Sequence, residues 1–177
     1  MAEQDSEPRR GFLKVLTGAI GAVIGAIAVI PGLGFLATPL KKEMVTGGEE
    51  PLRVASIDDV KPGKPKRVNI VGDKHDAWLH MDAVKLGACW LVREKNGGPV
   101  KAYSTVCPHL GCGIDWNDKT EKFDCPCHGS VFDTEGKCVE GPSPRSMDEL
   151  EVITTGNDIK VRYRRFRLAI HEKEPVG

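Results

Sequence analysis

Apolar positions fall into two arrangements along this chain. From Val15 to Leu40 no Asp, Glu, Lys, Arg or His interrupts 26 consecutive residues. A helix needs about 20 apolar residues to cross the hydrocarbon core of a bilayer, so this run is long enough. After Pro51 the pattern changes to alternation with period two, rich in β-branched and aromatic residues. That spacing predicts strands at Arg67–Val71, Ala77–Met81, Cys89–Glu94, Val100–Thr105, Lys122–Asp124, Leu150–Thr154 and Ile159–Tyr163. Turn signals lie between them: Pro62-Gly63, Asn96-Gly97-Gly98, Glu135-Gly136 and Gly156-Asn157. No stretch carries a convincing amphipathic helix of more than two turns, and no internal repeat is visible. Short strands at roughly ten-residue spacing predict an all-β, antiparallel sandwich or barrel.

The apolar run is longer than the 7–15 residues of a secretory h-region, and no Ala-x-Ala site closes it. It therefore reads as a retained transmembrane anchor over 15–40, with Pro31-Gly32 expected to kink or end its ordered part. Gly18, Gly21, Gly25, Ala22, Ala26 and Ala28 make it only moderately hydrophobic and suit close helix packing. Ahead of it, Arg9-Arg10-Gly11-Phe12-Leu13-Lys14 resembles a twin-arginine export signal, which marks 1–14 as a cytoplasmic segment. The plainer reading is that these bases only hold the cytoplasmic end by the positive-inside rule. Residues 41–50, with Gly47-Gly48, read as a tether; ten residues reach about 33 Å when extended. The globular domain is then 51–177.

Charge changes the picture by exclusion. The chain balances 25 Lys+Arg against 25 Asp+Glu, and a nucleic-acid binder would need a basic excess. Composition also excludes collagen-like, coiled-coil and disordered classes. One local excess stands out: Lys160–Arg167 reads KVRYRRFR. It is expected to be a solvated edge strand defended by charge, with docking to a partner subunit or to lipid head groups as the alternative.

All six cysteines lie between Cys89 and Cys138. Two segments carry the chemistry: Cys107-Pro108-His109-Leu110-Gly111-Cys112 and Cys125-Pro126-Cys127-His128-Gly129-Ser130. Each offers one Cys and one His to a common metal, plus one further Cys. Two Cys and two His also suit tetrahedral zinc, the plain alternative. Cys89 and Cys138 fall outside the boxes and read as small buried hydrophobes, or as a second disulfide. His75, His80 and His171 read as surface or partly buried residues, and Trp116 as a packing residue in the short inter-box loop.

The paired boxes resemble those of Rieske iron–sulfur proteins, specifically the disulfide-containing type of quinol-oxidising cytochrome bc complexes. The resemblance implies a Rieske antiparallel β-sandwich with a small cluster-binding subdomain at about 105–145, preceded by one transmembrane helix. It implies a [2Fe–2S] cluster with Cys107 and Cys125 on one iron, His109 and His128 on the other, and a Cys112–Cys127 disulfide between the loops. Neutral imidazoles in place of two thiolates raise such centres to roughly −150 to +300 mV, against about −400 mV for plant-type ferredoxins. His109 and His128 would be the catalytic pair, each with one ring nitrogen left to exchange a proton with quinol. Gly111 and Gly129 would let backbone approach the cluster, and Gly141-Pro142-Ser143-Pro144 resembles the loop that covers it. Ser130 matches a serine that hydrogen-bonds a bridging sulfide. Phe132 departs from the pattern, because many relatives have there a tyrosine that donates to a cysteine sulfur.

The implied function is electron transfer within a quinol:cytochrome c oxidoreductase, from quinol (menaquinol expected) bound at a cytochrome b subunit to a c-type cytochrome. The setting would be a dimeric multi-subunit complex of a bacterial inner membrane, with the cluster domain on the periplasmic side. The alternative is the Rieske small subunit of a periplasmic molybdenum enzyme such as arsenite oxidase. A soluble Rieske ferredoxin would usually lack both the extra cysteine pair and the anchor.

Overall fold

The computed structural model describes residues 6–41, 50–75 and 80–176. Helix α1 (Ser6–Lys41) runs unbroken for 36 residues. Its stretch Arg9–Ala37 has mean hydropathy 2.3, and a helix apolar on all sides is soluble only in lipid or a protein core. The expected break at Pro31-Gly32 is absent. A proline removes one backbone donor, while in lipid every other backbone group still has only the helix itself for a partner. The expected tether falls mostly on residues 42–49, outside the described residues.

A second, globular unit follows the helix in sequence. Its strands are β1 (Leu52–Ser56), β2 (Lys66–His75), β3 (His80–Val92), β4 (Lys101–Ser104), β5 (Asp115–Asn117), β6 (Lys122–Cys125), β7 (Ser130–Phe132), β8 (Cys138–Glu140), β9 (Glu149–Thr155), β10 (Asp158–Arg162), β11 (Arg165–Phe166) and β12 (Pro175–Val176). They form a six-stranded sheet in the order β1-β10-β9-β4-β3-β2, a four-stranded sheet β5-β6-β7-β8 and the pair β11-β12. All these pairings are antiparallel. The antiparallel β class expected from the periodicity is the class found.

Two cores explain the arrangement. Cys89 and Leu91 of β3 and Ala102 of β4 join Ile70, Leu150, Ile159 and Val161 in one core. Trp90 and Val92 of β3 and Tyr103 of β4 join Ile114, Phe123 and Phe132 in the other. Alternate side chains of a strand point to opposite faces, so β3 and β4 are buried on both. That is why Ala88–Val92 reads as a continuous apolar run and not as alternation. Trp90 ties the layers: its ring lies 5.5 Å from Phe123, and its Nε1–H donates to the Ile114 carbonyl at 2.9 Å. Fully burying Phe123 and Phe132 contributes about 2–3 kcal/mol each.

The basic segment is not one edge strand: Lys160–Arg162 lie in interior strand β10, and Arg165–Phe166 form β11 of the separate β11-β12 pair. β10 lies between β1 and β9, and the edges are β1 and β2. The strand that covers it, Leu52–Ser56, has too short an alternation to stand out in the sequence. Three bases near this face are paired, Arg53 with Asp158, Arg162 with Glu151 and Arg167 with Glu174, so the charge is partly neutralised. Of the expected strand Ala77–Met81, residues 77–79 lie outside the described residues, as do the side chains of His75 and His80.

Candidate metal centre

The two cysteine–histidine segments fold into the same turn. In the first, the Gly111 N–H donates to the Cys107 carbonyl at 2.9 Å; in the second, the Gly129 N–H donates to the Cys125 carbonyl at 3.1 Å. Both glycines sit at positive φ, 83° and 72°, a region that side chains disfavour. The equal spacing from cysteine to glycine thus produces equal loops. The first is closed again at its base, where the Cys107 N–H donates to the Cys112 carbonyl at 2.8 Å. The second springs from β6 and returns as β7, with Cys125 and Ser130 facing each other in register.

A disulfide joins Cys112 to Cys127, the pairing implied by the resemblance. The Cys125 sulfur lies within 4.8 Å of both bridged sulfurs. Bridged sulfurs carry no thiolate charge, so they clip the loops, and Cys107 and Cys125 are the free thiols of the two segments. These two are buried in one core, where Cys125 helps hold the Cys107 thiol in its protonated form. Burial pushes the Cys107 thiol up to about 11, against the pull of the His109 backbone N–H and the Ser130 hydroxyl, which favour the thiolate. A thiolate there needs a positive partner.

The imidazoles come to the same place from the two loops. The His109 and His128 rings meet edge to face, 4.8 Å between centroids. His109 is half-buried and His128 exposed, beside the exposed Leu110. Two free thiols and two imidazoles brought together from the two loops are a donor set of the kind that holds a [2Fe–2S] cluster.

A third loop closes the site. Gly141 lies at φ +92°, and a Cβ there would come within 2.5 Å of Ser130 Cα. The Ser143 N–H donates to Ser130 Oγ at 3.2 Å. The chain beyond β11 braces both sides: the Ala169 N–H donates to the Pro108 carbonyl at 2.9 Å, and His171 Nδ1 meets the Pro144 carbonyl at 2.9 Å. This brace and its Arg145–Asp148 anchor were missed in the sequence, where residues 165–176 carry no periodicity and His171 no partner.

Other candidates resolve plainly. Cys89 and Cys138 are both free and belong to different cores, so no second disulfide joins them. Burial pushes the Cys89 thiol up to about 12. Trp116 packs on Phe123 at 4.9 Å, and its Nε1–H donates to Asp118.

Comparison with known proteins gives a match to the Rieske [2Fe-2S] domain model over residues 50–155. The chain is 29% identical over 144 residues to the cytochrome b6-f complex iron-sulfur subunit of Chlorobaculum tepidum, covering 81% of this chain and 69% of that protein. It is 31% identical over 139 residues to the menaquinol:cytochrome c reductase iron-sulfur subunit of Bacillus subtilis, covering 77% and 79%. Against the cytochrome b6-f complex iron-sulfur subunit of Thermosynechococcus vestitus it is 32% identical over 161 residues, covering 89% and 85%.

Proposed function

This chain belongs to the Rieske [2Fe–2S] family, and from that premise we propose that it is the electron-transfer subunit of a membrane-bound quinol:cytochrome c oxidoreductase complex. The observation that carries the proposal is the convergence of two loops that bring Cys107 beside Cys125 and His109 beside His128. The named relatives belong to cytochrome b6-f and menaquinol:cytochrome c reductase complexes, which favours this reading over a molybdenum-enzyme subunit. When bound, the [2Fe–2S] cluster takes up and returns one electron.

The residues divide the remaining work. Cys107 and Cys125 would hold the cluster from its buried side and supply two thiolate charges. His109 and His128 would hold it from the outer side with two imidazoles near the surface. The exposed ring of His128 is the better placed to meet a quinol hydroxyl, accept its proton at the free ring nitrogen and release it to water. The Cys112–Cys127 bond fixes the spacing of the two loops while charge comes and goes. Ser130, fully buried, would donate to sulfur and so favour the electron-rich state.

Helix α1 serves as the membrane anchor, consistent with its unbroken apolar length. With Arg9, Arg10 and Lys14 as a twin-arginine address and cytoplasmic anchor, the cluster domain stands on the outer side of a bacterial inner membrane. There it passes electrons from menaquinol at a cytochrome b subunit to a c-type cytochrome. The test is mild detergent extraction of the tagged full chain. The expected result is co-purification of a dihaem cytochrome b and a Rieske electron-paramagnetic-resonance signal reduced on adding menaquinol. Co-purification of a large molybdenum subunit, or zinc in place of iron, would overturn the proposal.

A further inference from the structure

Ser130, Ser143, Arg145 and Asp148 are linked in series through side chains and backbone, and the electron transfer described above leaves three of them without a role. Ser130 Oγ accepts from the Ser143 N–H at 3.2 Å. The Ser143 hydroxyl donates to the Arg145 carbonyl at 2.8 Å, which holds that loop backbone in place. The Arg145 guanidinium forks onto Asp148, with both N–H···O distances 2.9 Å. Its remaining bonds go to the carbonyls of Ile170 at 2.6 Å and Arg167 at 2.8 Å. The Asp148 carbonyl accepts from the Ser104 N–H at 2.8 Å, so the pair is pinned both to β4 and to the C-terminal segment.

The two charged side chains are 9% and 4% exposed. Removing two charges from water offsets most of their attraction, so such a pair is weak support for stability. What a planar guanidinium held by four hydrogen bonds does supply is a fixed position. Here it pins the backbone of Arg145, whose carbonyl accepts from the Ser143 hydroxyl, and so holds the loop whose Ser143 N–H meets Ser130.

A serine hydroxyl has one proton and two acceptor lone pairs. On its own it rotates among whatever acceptors surround it. The Ser143 N–H occupies the Ser130 oxygen from the covering loop, and two positive hydrogens cannot share that direction. Ser130 is 1% exposed, which leaves no water to take the proton. Ser130 faces Cys125 across the β6–β7 pair, and its hydroxyl favours the thiolate of Cys107, so its proton belongs on the sulfur side.

We propose that Ser143, Arg145 and Asp148 are positioning residues that aim the Ser130 hydroxyl at the sulfur side of the cluster and so set its redox potential. The C-terminal segment from Arg167 to Ile170 is the brace that holds them. This rests on the Rieske reading of the site. It assigns that function's tuning to residues outside both cysteine–histidine boxes.

The test is a double-mutant cycle on the full chain carrying its cluster, read as midpoint potential by a redox titration followed through the paramagnetic signal. Arg145→Gln is expected to shift the equilibrium between redox states three- to tenfold toward the oxidised form, about 28 to 59 mV for one electron. Arg145→Lys, which keeps the charge and loses the fork, is expected to fall between. In a Ser130→Ala background, Arg145→Gln is expected to leave the potential unchanged, although thermal stability falls in both backgrounds. An unaltered potential in Arg145→Gln overturns the proposal. So does an equal fall with and without Ser130, which would mean general loosening. If Arg145→Gln loses its cluster, Ser143→Ala completes the same cycle with a smaller shift and the same two overturning results. A wild-type chain with no Rieske signal would instead overturn the family reading of the site, so the two failures are distinct.

Discussion

The imidazole rings of His109 and His128 meet edge to face at 4.8 Å, although 18 intervening residues separate them in the sequence. Two turns of the same geometry, each closed by a glycine amide on a cysteine carbonyl, bring them together. Neither ring is buried, and both stand on the outer side of the paired thiols. Replacing one with a thiolate should therefore change charge more than shape. His128→Cys is expected to abolish the Rieske paramagnetic signal and quinol oxidation together. Any cluster it retains should fall by a few hundred millivolts, toward the roughly −400 mV of all-thiolate centres. An unchanged signal in that variant would remove His128 from the ligand set.

The bridge between Cys112 and Cys127 spans a sequence separation of 15. Closing a loop of this size typically stabilises by about 3 kcal/mol, and here the closed loop includes both β5 and β6. Cys112→Ser should keep all four ligands yet lower the unfolding temperature and the cluster content. Iron analysis and calorimetry of the purified full chain check this. Wild-type cluster content together with a wild-type midpoint would show that the clip is dispensable.

Much of this was legible in the sequence, and the misses share a cause. Long strands with a clear period, such as Lys66–His75 and Glu149–Thr155, were found. Strands of three residues, Asp115–Asn117, Ser130–Phe132 and Cys138–Glu140, are too short to show a period and exist because the metal loops need scaffolding. The basic run looked like an edge because its partner Leu52–Ser56 lies more than 100 residues away in sequence. Cysteines and histidines declare themselves by type and spacing. The Arg145–Asp148 brace does not, since a buried ion pair three residues apart looks in sequence like any solvated pair.

Gly141 gives a sharper test of the covering loop. A Cβ at this position would lie 2.5 Å from Ser130 Cα and 2.6 Å from the Gly129 carbonyl oxygen, and the residue sits at φ +92°. Both obstacles are backbone and cannot swing away. Left-handed strain alone costs on the order of 1–3 kcal/mol, so Gly141→Ala should lift the loop off Ser130. The expected outcome is a lower midpoint and faster loss of the cluster at elevated temperature, followed by visible absorbance. A variant with wild-type cluster lifetime would mean that the loop does not cover the site.

Phe132 links one missing hydroxyl to the choice of quinol. The side chain is fully buried and packs in the same core as Cys107 and Cys125, so a phenol there would lie in a dry place among sulfurs. A donor to a ligating sulfur stabilises the reduced, electron-rich cluster more than the oxidised one. A hydrogen bond to a charged group is worth about 1.5–3 kcal/mol in total, and only the difference between redox states moves the potential. A difference on the order of 1 kcal/mol corresponds to several tens of millivolts, since 59 mV is tenfold for one electron. Phe132→Tyr is therefore expected to raise the midpoint by that amount, and Ser130→Ala to lower it. If the new hydroxyl found no acceptor, it would be buried without a partner and cost about 1–3 kcal/mol of stability, so the unfolding temperature separates the two cases. Voltammetry of the full chain in detergent across pH makes the measurement. A raised midpoint with preserved stability supports the account; an unchanged or lower one refutes it. By the same reasoning the native chain, with Ser130 but no tyrosine, should lie in the middle of the Rieske range, where menaquinol, a stronger reductant than ubiquinol, can still drive it. A native value at the top of that range would count against menaquinol.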